Sequence, residues 1–552
     1  MNAHSPLRLL FDRLFLDHRY LLLLLLFTSL IFYKGVTPSF SSDDFVHLEN
    51  NIHYENLVSA SEVFVKPYGR EYRPLVRLSL WANHQMGDTA LPYKISNLAM
   101  HLMCIALLYG LLLRLGVSRS ATLVASAIFA LHPIHITSVH FILGRTDLVA
   151  AVFYLATLYC FSNWKNNSGI ALRILTGIWF CAALLSKELS ITLPVMMLAI
   201  AMMQQKTLAI PRLVRATFRL WPFMVLAVIY LAARLYQWST MDSAVAVYTN
   251  FSPANILKNY LEWIFALIYP FDLYIAKEWQ SLHPGTFIAS VATTGLILIT
   301  LAIYIWRQTM GNFLRSPLLW LGLGWLFITL VPMAGGNSHR WYLYLPSAGF
   351  SLMIAVAWEH TSLNRQTLLR VALGLLLLIY SVESLRQSLA WNQQSDINEY
   401  LLSEPLTKEL REQESIVIAN MPFGYKGTFL FTHTSFEEAL RVRYGKSPHI
   451  QVLNYLNLDD ENKIDAINLP GGAIFNIEPT AYRYFRLRDA RIYLPHNETD
   501  SQGEFKLHIE KRDAAGRIQS LRLELPGQLN TPVFYFDGEQ FKRLDEQGTK
   551  SP

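Results

Sequence analysis

Between Leu21 and Tyr380 the apolar residues of this chain gather into blocks of about 15 to 22, the length that crosses a hydrocarbon core, with polar loops between them. The blocks run near Leu21 to Phe32, Tyr93 to Leu113, Ala121 to Ile136, Leu148 to Phe161, Ala171 to Leu185 and Leu189 to Met203. They continue near Trp221 to Leu235, Phe287 to Trp306, Leu318 to Met333, Tyr344 to Trp358 and Leu368 to Val382. The pattern predicts a mainly α-helical, polytopic membrane domain of about eleven spans over residues 1–390. Ile256 to Phe271 is ambiguous: it carries Lys258, Asn259, Glu262 and Pro270 in a short apolar stretch, and it is expected to lie in the interface or to re-enter. From Trp391 the blocks stop, and short β-rich runs appear at Ser415 to Ala419, His449 to Leu453, Phe505 to Glu510, Ile518 to Leu525 and Val533 to Phe536. With a helical stretch at Phe436 to Tyr444 and turn signals at Pro422-Phe423-Gly424, Pro470-Gly471-Gly472 and Asp537-Gly538, residues 391–552 read as a separate extramembrane α/β domain.

Composition removes the soluble alternative. The 552 residues are 52% hydrophobic and only 16% charged, with a mean hydropathy of +0.25, whereas a soluble protein is roughly 25% charged. Cys104, Cys160 and Cys181 all lie in apolar segments, which suits packing and not a disulfide framework. The first apolar run follows Arg8, Arg13 and Arg19 but precedes no small-residue cleavage site, so it is expected to remain as the first span. A formal charge of +6, spread over many loops, argues against nucleic acid as a partner. Loops with Arg114 and Arg119, Lys165 and Arg173, Lys206 to Arg219, Arg307 and Arg315, and Arg365 and Arg370 contain almost no acids. By the positive-inside rule they and the N-terminus are cytoplasmic, and the C-terminal domain is extracytoplasmic. The expected location is a multi-pass one, in a bacterial inner membrane.

With that threading the unusual residues fall on the outer side. One loop holds Asp43, Asp44, Tyr72, Arg73 and Arg77; the next holds His132, His135, His140, Arg145 and Asp147; later turns hold Lys187 and Glu188, then His339, Arg340 and Tyr342. Ionisable groups at span ends are costly unless they pair or line a wet cavity, so the collection points to a site. Any one of them alone is as well explained as a marker of the water boundary. Asp43 and Asp44 follow the first span closely enough to meet a lipid-attached substrate, where a carboxylate is placed to act as general base; the competing role is helix N-capping. Arginine and lysine suit a phosphate leaving group. His132, His135 and His140 match metal-ligand spacing only loosely, because Pro133 disturbs any helix joining the first two, and no metal or other cofactor is expected to be required.

At these residues the chain resembles the GT-C polytopic glycosyltransferases, above all the membrane part of the transmembrane and tetratricopeptide-repeat O-mannosyltransferases and their bacterial relatives. The stretches that carry the resemblance are Ser42-Asp43-Asp44-Phe45, Tyr72-Arg73-Pro74-Leu75, Tyr93-Lys94-Ile95-Ser96-Asn97 with His101, and Phe129-Ala130-Leu131-His132-Pro133-Ile134-His135. They continue with Gly144-Arg145-Thr146-Asp147-Leu148, Leu185-Ser186-Lys187-Glu188 and Arg340-Trp341-Tyr342-Leu343-Tyr344-Leu345-Pro346-Ser347. The resemblance implies inverting transfer from a polyprenyl-phosphate monosaccharide to an acceptor hydroxyl outside the membrane, with Asp43 as base and Asp44 as its partner. Tyr72, Arg73, Arg77, His132, His135, Arg145, Asp147, Lys187, Glu188, His339, Arg340 and Tyr342 are then expected to bind donor or acceptor or to support the cavity. The tetratricopeptide repeats are replaced by the segment after Trp391, so the acceptor is a protein, a glycan or a lipid. A transporter or flippase for a lipid-linked sugar and a non-catalytic membrane scaffold are the competing readings; the first would need ionisable residues near the middle of the membrane.

Overall fold

The computed structural model describes residues 18–49, 60–65, 72–87, 89–164, 169–205, 210–239, 250–269, 279, 284–309, 312–360, 366–453, 455–458, 463–469, 472–478, 499–502, 505–512, 518–525 and 531–544. Arg8, Arg13, Lys165, Lys206, Arg365 and the Pro470-Gly471 part of one turn signal lie outside the described residues.

Among the described residues the α-helices of five residues or more follow one another as α1 (Arg19–Phe32), α2 (Pro74–His84), α3 (Leu91–Arg114), α4 (Arg119–Leu131), α5 (Ile136–His140), α6 (Arg145–Ser162), α7 (Ile170–Leu184), α8 (Leu193–Gln205) and α9 (Ile210–Arg219). Then come α10 (Trp221–Ser239), α11 (Pro253–Ile268), α12 (Pro284–Thr309), α13 (Pro317–Leu330), α14 (Pro346–His360), α15 (Gln366–Leu401), α16 (Glu404–Arg411) and α17 (His433–Tyr444). Among the described residues, Leu91–Arg114, Ile142–Ser162 and Arg370–Leu401 are long and apolar enough to cross a membrane; the pair α4 and α5, bent by 47°, makes a fourth if it is one span. The bend sits at Pro133, which lacks the N–H a continuing helix needs and clashes with the preceding turn, so His132 turns extended and a 3-10 turn, Pro133–His135, leads into α5. Among the described residues five further apolar helical stretches, among them Ile170–Leu184 and Pro317–Met333, run for fewer than 18 residues.

The ambiguous stretch is α11, 16 residues long, against about 20 for a span. It buries Asn259, Trp263, Ala266 and Leu267. The Asn259 side chain donates to the carbonyls of Ala334 and Gly336, so its polar side is turned onto the loop that leads to Arg340.

Helices α13 and α14 pack backbone to backbone. A Cβ on Gly349 would stand 2.5 Å from the Gly322 carbonyl oxygen, and one on Gly322 would stand 2.9 Å from that of Gly349. Small residues give this close approach where lipid offers no hydrophobic drive. Gly349→Leu is therefore expected to lower the melting temperature of the detergent-solubilised protein, by overpacking that costs about 1–3 kcal/mol. Gly374→Leu on α15, where a Cβ meets nothing within 4 Å, should leave it unchanged.

Among the described residues the C-terminal region forms three sheets from β1 (Ser415–Ile418), β2 (Met421–Tyr425), β3 (Thr428–Phe429), β4 (His449–Val452), β5 (Tyr455–Leu458), β6 (Lys463–Leu469), β7 (Gly472–Glu478), β8 (Thr499–Gln502), β9 (Phe505–Arg512), β10 (Ile518–Glu524), β11 (Val533–Phe536) and β12 (Phe541–Arg543). Their orders are β12-β11-β1-β4, β6-β7-β10-β9-β8 and β3-β2-β5. The Asp537-Gly538 turn joins β11 to β12, with the Asp537 side chain accepting from two backbone N–H groups. Pro422-Phe423-Gly424, expected as a turn, instead lies inside β2. Pairing with β5 absorbs it through an irregularity between Pro422 and Gly424, and the turn falls two residues later, at Lys426 and Gly427, which take φ values of 46° and 83°.

Helix α15 passes Trp391 without a break and ends at Leu401, so the membrane part runs directly into the C-terminal part. One buried cluster contains Phe40, Phe45, Val76 and Tyr93 together with Ile416, Leu430, Phe431 and Phe436. The first outer loop and the C-terminal sheets therefore share a core.

Candidate functional site

The chain leaves α1 through a 3-10 turn, Tyr33–Gly35, and reaches Ser42 in the left-handed region, φ 46°. That conformation costs a non-glycine residue about 1–2 kcal/mol. The Ser42 N–H donates to the Leu430 carbonyl at 2.8 Å, and the Asp44 and Phe45 N–H groups fold back onto the carbonyls of Ser41 and Ser42. This tight turn presents the two aspartates differently. Asp44 is wholly buried; its Oδ2 accepts from the backbone and hydroxyl of Ser41, and the ammonium of Lys94 lies within electrostatic reach. Burial pushes its carboxyl up to about 7, with Lys94 and the Ser41 hydrogen bonds opposing. Asp43 is half-buried, burial also raises its carboxyl, and His47 opposes that shift. Among the described residues Asp43 makes no side-chain hydrogen bond, which leaves it the aspartate able to take a proton from outside.

Lys94 joins the site from outside the predicted set. It is fully buried, and its ammonium donates to the Thr37 hydroxyl at 2.7 Å and the Ser39 carbonyl at 2.9 Å. A lysine opening an apolar helix was the available signal. Arg234 of α10 joins the site too. With Arg73 it holds Glu188 from two sides, Arg73 at 2.9 Å. Beside this trio, Lys187 makes a 2.5 Å buried pair with Asp147 and lies 4.9 Å from the centre of the Tyr342 ring. Lys187 is extended, between the end of α7 and a 3-10 turn beginning at Glu188, which sends adjacent opposite charges to different partners.

The histidines each take a separate hydrogen-bond partner. His132 Nε2 lies 3.0 Å from the Leu267 carbonyl, and His135 Nε2 3.3 Å from the Ser347 hydroxyl. His140 Nε2 lies 3.1 Å from the Ser388 hydroxyl. The His135 ring packs 4.5 Å from Tyr344, whose hydroxyl is 2.7 Å from His101 Nδ1. No group of three or more His, Cys, Asp or Glu able to hold a metal ion occurs among the described residues. Buried Arg340 faces His132 and His135 electrostatically and donates to the Pro133 carbonyl at 3.5 Å. His339 stacks on Trp341, 4.1 Å between ring centres.

Three candidates look elsewhere. Arg145 is fully buried and donates to Asn97 and Asn83 and to the carbonyls of Ser79 and Tyr93, tying α2, α3 and α6 together. Arg77 reaches the Val63 carbonyl, and exposed Tyr72 reaches that of Phe64.

The aspartate turn and the Arg340 turn lie at the same end of the helices. Phe429 packs 6.4 Å from Trp341 and 5.5 Å from Phe141, while the carbonyl of its neighbour Leu430 binds the Ser42 N–H. One short stretch of the C-terminal region thus touches both.

Residues 80–254 match the family model described as Dolichyl-phosphate-mannose-protein mannosyltransferase. The chain is 22% identical over 431 residues to protein O-mannosyl-transferase TMTC3 of Mus musculus, covering 69% of this chain and 44% of that protein. It is 36% identical over 122 residues to protein O-mannosyl-transferase Tmtc1 of Drosophila melanogaster, covering 22% and 14%. The chain spans under half the length of these curated relatives. Among solved structures, an Archaeoglobus fulgidus oligosaccharyltransferase is similar with a TM-score of 0.42 and 12% identity, over 80% of this chain and 64% of that one. The sequence matches bear out the resemblance to the O-mannosyltransferases and, with the apolar helices, make the chain an integral membrane protein.

Proposed function

We propose that this relative of the protein O-mannosyl-transferases is a GT-C-type glycosyltransferase that moves a sugar, mannose being the family's, from a polyprenyl-phosphate donor to an acceptor hydroxyl. The observation that carries the reading is the half-buried Asp43 carboxyl, on a turn just past the first apolar helix, at the same end of the molecule as the Arg340 turn. The acceptor oxygen attacks the anomeric carbon from the face opposite the phosphate as its proton passes to Asp43. The bond from that carbon to the phosphate oxygen breaks, the electron pair leaves with the polyprenyl phosphate, and the configuration inverts. Arg340 and Lys187 neutralise the charge that develops on the phosphate. A phosphate is a good leaving group, so no strong acid is needed. Asp44, sealed against Lys94 and Ser41, holds the turn. Arg145, Arg73 and Glu188 fix the helices beside these groups, and the Tyr342 ring lies against Lys187 with His339 packed on it.

The test is purified full-length protein in proteoliposomes, given polyprenyl-phosphate mannose with either a Ser/Thr-rich peptide or an oligosaccharide. The expected result is release of polyprenyl phosphate with formation of an inverted glycoside. Movement of the donor between leaflets with no glycoside formed would replace this reading by the flippase.

The same reading has about eleven spans, a cytoplasmic N-terminus and an extracytoplasmic domain after residue 390. Single cysteines placed in a cysteine-free background at Asp396 and at Arg212 should be labelled by an impermeant maleimide from opposite sides. Labelling from one side would overturn the orientation.

A further inference from the structure

The three residues Phe429 to Phe431 leave β3 and enter α17, and nothing in the reaction just described uses them. Yet they meet the aspartate turn at each point where it needs holding. The Leu430 carbonyl takes the N–H of Ser42, the residue whose left-handed φ aims Asp43 and Asp44. The Phe431 ring lies 5.6 Å from Phe45, on the far side of the aspartates, and 5.1 Å from Phe436 in α17. Phe45 in turn packs 6.1 Å from Phe40, whose carbonyl accepts from the side chain of Asn398 near the end of α15. The turn is thus gripped before and after Asp43 and Asp44 by parts of the chain more than 350 residues away. A serine left alone would relax to negative φ, and the chain entering the aspartates would rotate with it.

Resting on Asp43 as the base, we infer that the C-terminal region is part of the catalytic apparatus: the Leu430 carbonyl, anchored by Phe431, is the positioning group that holds Ser42 in its left-handed conformation and so keeps Asp43 in line with the acceptor. Acceptor docking alone would not require the region to bond to the backbone beside the base.

The experiment compares full-length wild type, Phe431→Ala, Ser42→Gly/Phe431→Ala and Asp43→Asn, with polyprenyl-phosphate mannose and a Ser/Thr-rich peptide. Phe431→Leu is carried as the variant to use if the alanine does not fold, judged by helical circular dichroism and a monodisperse elution profile. Phe431→Ala is expected to lower kcat about 10- to 100-fold with the KM of donor and peptide within about twofold, the scale on which small misplacements act. Glycine adopts positive φ readily, so the double variant should regain at least about fivefold of that loss. A raised peptide KM at unchanged kcat, wild-type kinetics, or no recovery by glycine would each overturn the proposal. Inactive Asp43→Asn beside normal Phe431 variants would leave the base standing and remove only the positioning role; fully active Asp43→Asn would remove the base and the proposal with it.

Discussion

Asp43→Asn should lower kcat by about 10²- to 10⁴-fold, the usual contribution of a general base, while the donor KM stays close to that of wild type. The amide keeps the volume of the half-buried carboxyl and removes only its capacity to take a proton. Asp44→Asn should cost less, because an amide oxygen still accepts from Ser41. Burial raises both carboxyls, Asp44 to about 7. A base works only when ionised, so the acid limb of the kcat profile should lie above the ordinary carboxylate range. Lys94→Met, by removing the cation that holds Asp44 down, should raise the Asp44 carboxyl further without moving that limb, which belongs to Asp43, to higher pH. Stability runs the other way. A carboxyl whose folded value lies above its unfolded value of about 3.9 favours the fold most below that value and loses the contribution as pH rises through about 7. Wild type is therefore expected to lose thermal stability between pH 4 and 8, and Asp44→Asn to flatten that fall. A wild-type acid limb at the usual carboxylate position would contradict the assignment.

The second large effect belongs to the buried pair of Lys187 and Asp147, both side chains 3% exposed. Lys187→Met strands a carboxylate away from water, and breaking such a pair by removing one partner destabilises by about 3–5 kcal/mol. Replacing both, as Lys187→Met with Asp147→Leu, should restore most of the stability, since apolar residues of similar volume substitute well for a buried pair. Activity should not return with it if Lys187 neutralises the leaving phosphate. Thermal melts and donor turnover measured on the same preparations separate the two. Recovery of both together would reduce the pair to a structural element.

Much of this site was legible because the residues that form it are chemically out of place. Arg145 in an apolar stretch, the Lys187-Glu188 pair after a hydrophobic helix, and Pro133 between two histidines each announce a constraint that spanning helices do not otherwise tolerate. What they do was less legible. Arg145 and Arg340 are the same residue type at span ends, but Arg145 is consumed by two asparagines and two carbonyls, and sequence spacing cannot reveal which acceptors the fold will bring. Lys94 escaped because its partners, Thr37 and Ser39, lie 55 or more residues away. In the C-terminal region the alternating runs gave β1, β4 and β9 to β11, whereas β2 was obscured by a proline and a glycine that usually mark turns. The strands β3, β5 to β8 and β12 carry too weak an alternation in their few residues to be read locally. The grip of Leu430 on Ser42 left no trace in the sequence, since a backbone carbonyl has no residue type.

The unbroken α15 also constrains how such a protein is altered. Its 36 residues form a rod of about 54 Å at 1.5 Å per residue, so the sheets are carried on a shaft, not on a tether. One residue inserted between Arg386 and Trp391 would turn everything beyond it by about 100° and raise it by about 1.5 Å, swinging Phe429 to Phe431 off the base. Seven would bring the heading nearly back but leave the load two turns too high. Any graft of a foreign module onto this membrane domain must therefore keep the splice in helical phase.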